Sequence, residues 1–319
     1  MSSRPTLGGA TAGSGDRRGQ RPPRTPPAYT PQREPARPSI ASRPGWLERV
    51  VANRTVVVGA AILLVLLAVA VLADAISTHV PTRLNPANRL RPPSLMNYLG
   101  TDEFGRDVFS LVVHGARVSL LVGVTTMLLT SISGVTIGLV AGYYRRLDMV
   151  VMRVMDGLMA FPAILLAIAL MAVRGPGVAN VIFALSVVYT PRTAMLIRSI
   201  VLSLREQDYV QAARALGRTD RTIAVRHILP NCLAPVLVQG SFVFAYAILA
   251  EAILGFLGVG VPPYVPSWGN VIASGKNVIR EAFWVSLFPG LALTVAGLSL
   301  NLLGDGLRDT LDPRLRGRS

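Results

Sequence analysis

The chain has very few residues of the kinds that bind metals or form disulfides. Among 319 residues it has 1 cysteine, Cys232, and 3 histidines. A single cysteine excludes an internal disulfide framework and a multi-cysteine metal site. His79, His114 and His227 lie at no metal-ligand spacing from one another or from the cysteine. We therefore expect no metal site, and we interpret Cys232, which stands near the start of an apolar run, as a packed thiol.

Lysine is equally scarce, because Lys276 is the only one in the chain. A phosphate-binding P-loop needs the pattern Gly-x4-Gly-Lys-Ser/Thr, whose backbone amides cradle the phosphates. Gly275 precedes Lys276, but Asn270 occupies the position of the first glycine, and Asn277 replaces Ser or Thr. The sequence therefore has no P-loop. We expect the chain to bind no nucleotide cofactor and to hydrolyse no ATP by itself.

Charged residues are also few, at 15%, whereas hydrophobic residues make up 51% of the chain. This balance is too apolar for an ordinary water-soluble protein of this length. Several windows contain about twenty apolar residues, which is enough to cross about 30 Å of hydrocarbon. The predicted spans are Val56–Ile76, Val118–Ala141, Met155–Val173, Val178–Val201, Leu233–Leu254 and Trp284–Leu303. The sequence therefore predicts an all-α polytopic membrane protein with six transmembrane helices.

The net charge of +15 is carried by tails and loops rather than by the spans. It is not arranged on an amphipathic face with interleaved aromatic residues, so we expect no nucleic-acid partner. Loops that are rich in arginine stay on the cytosolic side of a membrane. Most of the arginines fall in residues 1–54, 145–153, 192–226 and 308–318. We therefore expect a multi-pass protein of the plasma membrane with both termini in the cytosol.

Residues 1–48 differ sharply from the rest of the chain. They are rich in Pro, Gly, Ser, Thr and Arg and have almost no large apolar residues, which is a composition typical of disordered segments. We expect a disordered cytosolic tail that is either simply solvated or bound through its arginines to anionic membrane lipid. Residues 49–316 form the predicted transmembrane domain.

Glycine and proline mark two features inside the predicted spans. Gly134, Gly138 and Gly142 recur every four residues in the second span. Glycines at this spacing share one helix face and let another helix approach closely in lipid, so we predict a tight helix–helix contact there. In the third span, Pro162 leaves a backbone carbonyl that a neighbour must satisfy, and we expect either a kink or a hinge at that point.

Glu251 is a carboxylate within an apolar run, near the outer end of the fifth predicted span. A charged side chain at the centre of a bilayer costs about 2.5–3.5 kcal/mol on insertion scales. The side chain should therefore face protein or water. Two interpretations stay open: Glu251 pairs with Arg280 or Lys276, or it lines a translocation path.

The most informative polar segment, residues 205–230, lies between the fourth and fifth predicted spans. Asp208 stands where an N-cap is expected, and Gln211 follows it at the spacing of a capping box. Helix-favouring residues come next, and Gly217 offers a left-handed stop. We therefore predict a short helix that ends at Gly217.

A second short helix is predicted directly after it. Asp220 can cap this helix, which should run through Ile228 to a break at Pro230. The small side chains of Ala212 and Ala213 should let another surface approach the first helix closely. Taken by itself, the segment is either a well-capped connector or a docking site for a soluble partner.

The pattern Gln211-Ala-Ala-x3-Gly217, followed by Ile228-Leu229-Pro230, resembles the coupling loop of binding-protein-dependent ABC importer permeases. That family usually has Glu where this chain has Gln211, which keeps the capping geometry but removes a charge. Four other segments resemble dipeptide and oligopeptide permeases of the C type: Leu99–Ser110, Glu251–Gly258, Pro266–Asn270 and Gly304–Pro313. The resemblance covers residues 45 to 316, and we call residues 205–230 the coupling segment.

The resemblance implies a type I ABC importer permease fold in the bacterial inner membrane. It also implies four partners: a second homologous permease subunit, two cytosolic ABC ATPase subunits or domains, an extracytoplasmic substrate-binding protein, and membrane lipid. ATP and magnesium would be bound by the ATPases, which supply the hydrolysis. The cargo would be a dipeptide or an oligopeptide, and the same family offers glutathione or nickel as alternatives.

The resemblance assigns residues to coupling and none to catalysis. The residues assigned to ATPase coupling are Asp208, Tyr209, Gln211, Ala212, Ala213, Arg214, Leu216, Gly217, Ile228 and Pro230. The candidate for the translocation path is Glu251.

Two other function classes have weaker support in the sequence. An intramembrane hydrolase needs a serine or paired aspartates with a base at matching depth, but Ser274 and His227 lie on opposite sides of the predicted membrane. An ion-coupled secondary transporter often has charges buried near the midplane and broken helices in repeated halves. No such repeat is visible, and a capped cytosolic loop would have no role in that class.

Overall fold

The structure, a computed structural model, describes residues 52–311. This part of the chain is helical, and its β-type pairing is limited to one isolated bridge between Thr101 and Asp107. The helices are α1 (Arg54–Val71), α2 (Ala73–Ile76), α3 (Val108–Tyr143), α4 (Arg145–Met159), α5 (Ala163–Arg174), α6 (Val178–Leu204), α7 (Asp208–Ala215), α8 (Asp220–Thr222), α9 (Leu229–Phe256), α10 (Trp268–Gly275) and α11 (Trp284–Leu311). A π-helical segment, Ile223–Ile228, joins α8 to α9. The predicted disordered tail, residues 1–48, lies outside the described residues.

The described residues contain five helices that are long and apolar enough to cross a membrane. They are α1, α3, α6, the continuous helix Asp220–Phe256 and α11, and the bent pair α4 and α5 makes a sixth candidate span. The predicted fold class is therefore confirmed.

Hydropathy placed the start of the second span too late, because α3 begins at Val108. Its start is fixed by a cap, since the Asp107 carboxylate accepts the N–H of Ser110 at 2.9 Å.

The prediction of one continuous third span over Met155–Val173 is wrong. The helix α4 ends at Met159, the next helix begins at Ala163, and their axes differ by 93°. Pro162 occupies the N-cap of α5 with ψ 130°, an extended conformation that interrupts the helix. Since proline has no N–H to continue the ladder, the break falls directly before the second helix. Pro162 therefore marks a full break rather than a kink.

The predicted tight contact along the glycine face of α3 is confirmed. A Cβ placed on Gly134 would lie 2.6 Å from the Thr193 Cβ, and one on Gly142 would lie 2.7 Å from the Val201 Cβ. A Cβ on Gly138, between them, would lie 2.5 Å from the Ala194 carbonyl oxygen. Real Cβ atoms do not approach other atoms so closely, so α3 and α6 pack with their backbones nearly in contact. This pair of helices supports the coupling segment at one end.

Residues 77–107, which we call the far lobe, lie at the opposite end of α3. Two buried carboxylates fix this lobe. Asp102 accepts the backbone N–H groups of Phe104 at 2.9 Å and Arg106 at 2.8 Å, together with the Arg106 Nε–H at 2.7 Å. Asp107 accepts the Asn97 amide at 2.9 Å besides capping α3. The lobe is therefore held by dense internal hydrogen bonding.

Candidate functional site

The first helix of the coupling segment forms where it was predicted, but its capping differs. Gln207, with ψ 146°, is the N-cap of α7 and makes no side-chain capping bond, so Asp208 is the first helical residue. The capping-box prediction is therefore wrong. The Gln211 side chain instead donates its Nε2–H to the Arg205 carbonyl at 3.0 Å. Asp208 still favours the helix, because its negative charge lies beside the positive end of the helix dipole.

The predicted left-handed stop at Gly217 is confirmed. Gly217 has φ 74°, its N–H bonds to the Arg214 carbonyl at 3.0 Å, and the N–H of Arg218 bonds to the Ala213 carbonyl at 3.2 Å. This pair of bonds is the Schellman pattern, which satisfies carbonyls that a helix end would leave without partners. No atom lies within 4 Å of the space that a Cβ would take at Gly217. A larger residue at this position would therefore be disfavoured by its backbone conformation and not by a steric clash.

The second helix of the segment is capped by a different residue from the one predicted. The Thr219 Oγ1 accepts the N–H of Thr222 at 3.4 Å, so Thr219 rather than Asp220 is the N-cap. The Asp220 Oδ1 instead accepts the hydroxyl of Tyr143 at 2.6 Å. Tyr143 is the last residue of α3, and it lies 77 residues before Asp220 in the sequence.

The predicted break at Pro230 is also wrong. The helix runs without interruption from Asp220 to Phe256, and Pro230 lies in the first turn of α9. The turn just before it, Ile223–Ile228, is π-helical. A wider turn there makes room for the proline ring, which in a regular α-helix clashes with the carbonyl four residues before it. The second short helix is therefore the first turn of the fifth span.

The coupling residues divide into buried and exposed sets. Ala213 and Ile228 are buried, and they share an apolar cluster with Val210 and Cys232. The small side chain of Ala213 lets α7 pack against the chain itself, and Ala213 also lines the groove described below, so its contact with a partner stays a prediction. The burial of Cys232 confirms its interpretation as a packed thiol. The exposed coupling residues are Asp208, Tyr209, Gln211, Ala212, Arg214, Leu216, Gly217 and Pro230.

A groove of about 450 Å³ lies between α7 and the helix that follows it. Its lining includes Tyr209, Leu216, Arg218, Thr222, Arg226 and His227. The last four were not predicted, because their approach to α7 depends on how the second helix folds back. A hydrogen bond to the Tyr143 hydroxyl raises the pKa of Arg214, which lies on α7, above its ordinary value. The groove is apolar inside with a basic rim.

Hydrogen bonds tie the coupling segment to the ends of α3 and α6. The Arg205 Nη1 donates to the Gly142 carbonyl at 3.2 Å, and the Arg205 carbonyl accepts the Gln211 amide. The bond between Tyr143 and Asp220 adds a second link to α3. Since α3 and α6 are themselves packed backbone to backbone, α7 is attached to a stiff helix pair.

Glu251 lies far from the coupling segment and is fully buried, with 0% of its surface exposed. Its Oε2 accepts the Ser119 hydroxyl at 2.9 Å, and the same Ser119 oxygen accepts the N–H of Trp268 at 3.2 Å. Within residues 52–311 it forms no ion pair with Arg280 or Lys276, so the predicted pairing is wrong. Its side chain is not exposed on the surface of this chain, and its role in the translocation path stays a prediction. Glu251 instead joins α3, α9 and α10.

Two family models match this chain. Residues 134–317 match "Binding-protein-dependent transport system inner membrane component". Residues 46–93 match "N-terminal TM domain of oligopeptide transport permease C". The first match contains the whole coupling segment.

Several curated proteins are similar to the chain over most of its length. A putative peptide transport system permease protein of Brucella abortus is 50% identical over 88% of this chain and 95% of its own. The dipeptide transport system permease protein DppC of Alkalihalophilus pseudofirmus is 43% identical over 83% of this chain and 87% of its own. The glutathione transport system permease protein GsiD of Pectobacterium atrosepticum is 43% identical over 70% of this chain and 75% of its own.

Proposed function

The chain belongs to the family of binding-protein-dependent transport system inner membrane components, and from this membership we propose that it carries short peptides as a permease subunit of an ATP-driven importer. It is a multi-pass inner-membrane transport protein. The peptide cargo is supported by relatives whose names state peptide and dipeptide transport. The glutathione relative supports glutathione, itself a tripeptide, as the second candidate cargo.

The division of α7 into two faces is the observation that carries the coupling role. Val210 and Ala213 anchor the helix in the chain, whereas Tyr209 and Leu216 are 44% and 82% exposed. Exposed apolar side chains beside polar neighbours are typical of a docking surface. The sequence has no P-loop, and membership of the family supports a cytosolic ATPase as the docked partner, which binds ATP and magnesium and supplies the hydrolysis. When two such ATPases close, they move α7 together with the α3–α6 pair.

The remaining partners follow from the same role. A second, homologous permease encloses the translocation path with this chain, and an extracytoplasmic binding protein delivers the cargo. The coupling segment and both termini then lie in the cytosol, as the distribution of arginine predicts. The far lobe lies on the outer side.

Co-purification tests the docking role most directly. The ATPase should purify with the wild-type chain from detergent extracts, and Leu216→Glu should remove it, since this side chain is the most exposed apolar group of the coupling segment. Leu95→Glu is the matched control, because Leu95 is 93% exposed on the far lobe. Equal retention of the ATPase by both variants would overturn the docking assignment.

Cysteine labelling tests the orientation. Arg218→Cys should react with a membrane-impermeant maleimide only in opened cells, and Tyr264→Cys, at the other end of the molecule, should react in intact cells. Native Cys232 is fully buried and adds little background. Reaction at position 218 in intact cells would contradict the cytosolic placement.

Uptake assays test the cargo. We expect the complete importer to accumulate labelled dipeptides and tripeptides, and glutathione to compete with them if it shares the path. If the importer accumulated glutathione and no other peptide, glutathione would replace short peptides as the proposed cargo.

A further inference from the structure

Three of the segments that resemble peptide permeases meet around one cavity at the far end of α3. The cavity has a volume of about 570 Å³. The segment Leu99–Ser110 contributes Glu103, Phe104 and Arg106, the segment Glu251–Gly258 contributes residues 255–258, and the segment Pro266–Asn270 contributes both of its ends. These segments are far apart in the sequence, and the coupling role uses none of them.

The walls of the cavity are built to keep their shape. The Asn270 Nδ2 donates to the carbonyls of Val261 at 3.1 Å, Pro262 at 2.9 Å and Val265 at 3.0 Å. These three bonds hold the loop of residues 261–265 against the Asn270 side chain. A Cβ on Gly269 would lie 2.6 Å from the Ala252 Cα, so α9 and α10 meet backbone to backbone beneath the cavity. The cavity is therefore largely formed before anything binds.

The chemistry of the lining is mostly apolar, with charges of both signs. Phe104, Phe256 and Tyr264 supply aromatic surface. Within residues 52–311, the Glu103 carboxylate has no ion-pair partner. The Arg106 guanidinium lies 5.0 Å from the Phe104 ring centroid and gives its Nε–H to Asp102. Its two terminal nitrogens donate to no side chain of the described residues. Glu103 and Arg106 both line the cavity, which therefore offers a carboxylate and guanidinium N–H groups that have no side-chain partner within the described residues.

We infer that this cavity is a transient binding site for a short zwitterionic peptide on its way to the translocation path. The inference rests on the proposed function, because it assigns the cargo of the importer. The free amino group of the peptide binds Glu103, an oxygen of its terminal carboxylate or of a backbone carbonyl binds Arg106, and apolar side chains contact the aromatic walls. A concave pocket of this volume is typical of small ligands, whereas protein partners meet over broad surfaces of about 800 Å² per side.

Photocrosslinking in the assembled importer identifies the occupant. Tyr264 is replaced by an azidophenylalanine, and membrane vesicles with the binding protein and ATP are illuminated in the presence of a labelled tripeptide. We expect a tripeptide adduct on this chain. The same substitution at Phe283, which is 57% exposed outside the cavity, should give none. A binding-protein adduct at position 264 would identify a docking surface and overturn the proposal, as would the absence of any adduct.

A charge substitution tests the recognition of the amino group. Glu103→Gln should raise the KM for peptide uptake about tenfold with little change in kcat, because one charge-assisted hydrogen bond is lost. Glu281→Gln, on an exposed glutamate outside the cavity, should change neither value. Unchanged KM in Glu103→Gln would overturn the assignment. A wild-type importer that accumulates no peptide would instead overturn the proposed function, and this inference with it.

Discussion

The two ends of α3 are held in opposite ways. At Val108 the helix enters the far lobe, where Asp102 and Asp107 are buried and nearly saturated with hydrogen bonds. At Tyr143 it meets the coupling segment, where the buried side chains of Val210 and Ala213, together with a few hydrogen bonds, attach a short helix whose other face is exposed. The far lobe is thus held mainly by hydrogen bonds to two buried carboxylates, whereas the coupling segment is held mainly by apolar packing along one face of α7. The exposed face of α7 is the one that we propose a partner contacts.

Two glycines with the same backbone conformation give the strongest test of this difference. Gly105 has φ 71° and Gly217 has φ 74°. A Cβ at Gly105 would overlap the Asn85 carbonyl oxygen, whereas the space at Gly217 is empty. We expect Gly217→Ala to cost about 1–2 kcal/mol of backbone strain, and Gly105→Ala to cost more than about 4 kcal/mol because a clash is added. The thermal unfolding midpoints of the purified complexes measure both, and equal losses would remove the contrast.

The same Gly217 substitution should act on function without preventing membrane insertion. In the proposed function the ATPase holds α7, and strain at the end of this helix would loosen it. We therefore expect Gly217→Val to keep ATP hydrolysis but to lower the amount of cargo taken up per ATP. Normal uptake per ATP in this variant would contradict the role of α7 in coupling.

Glu251 tests the scaffold at the far end. Glu251→Ala leaves the Ser119 hydroxyl without its acceptor and opens a void, so we expect a loss of about 2–4 kcal/mol of stability. Glu251→Gln keeps an acceptor of the same shape and should cost less than about 1.5 kcal/mol. Urea unfolding followed by tryptophan fluorescence suits this test, because Trp268 donates to the same serine. A Gln variant as unstable as the Ala variant would contradict this account of the site.

Gln211 tests the coupling end, where we expect a smaller effect on stability than on function. Gln211→Glu restores the residue that is usual in the family, but a carboxylate cannot donate to the Arg205 carbonyl. We expect a loss of stability of about 1 kcal/mol or less, together with a clear fall in uptake per ATP. Gln207→Glu is the matched control, since its side chain makes no capping bond. Full coupling in Gln211→Glu would show that this hydrogen bond does not position α7.

The smallest expected effect concerns Asp74, whose side chain is 76% exposed. Hydrogen bonds from Arg117 and then from His114 hold the pKa of Asp74 below its ordinary value. A lowered folded pKa gives stability that is present above the unfolded value, about 3.9, and is lost as the pH falls through the folded value. The difference in unfolding midpoint between wild type and Asp74→Asn should therefore shrink as the pH falls below about 4. A difference that grows in acid would show that the pKa of Asp74 is raised rather than lowered in the folded protein.

Local signals in the sequence predicted part of this molecule correctly. Hydropathy identified five of the six spans, because a run of about twenty apolar residues is long enough to cross a membrane as one helix. The spacing of Gly134, Gly138 and Gly142 identified the packed face of α3. Gly217 identified the end of α7, since few other residues adopt a left-handed conformation there without strain.

The errors came from interactions that the local sequence does not contain. Asp220 looked like a cap, but Tyr143 takes its carboxylate and Thr219 caps the helix. Glu251 looked as though it should pair with a nearby cation, yet its hydrogen-bond partner is Ser119, 132 residues away. In each case a side chain from another helix competes with the local arrangement, and hydropathy or capping rules give no information about which helices will be neighbours.

The unbroken helix from Asp220 to Phe256 has 37 residues, which makes a rod about 55 Å long. Its first turns form one wall of the groove beside α7, through Thr222, Arg226 and His227. Its last turn forms part of the wall of the far cavity, through Gly255 and Phe256. No loop interrupts the rod between these two walls. A rotation or tilt imposed at the first wall would therefore be transmitted to the second, which links the groove beside α7 to the far cavity through a single helix.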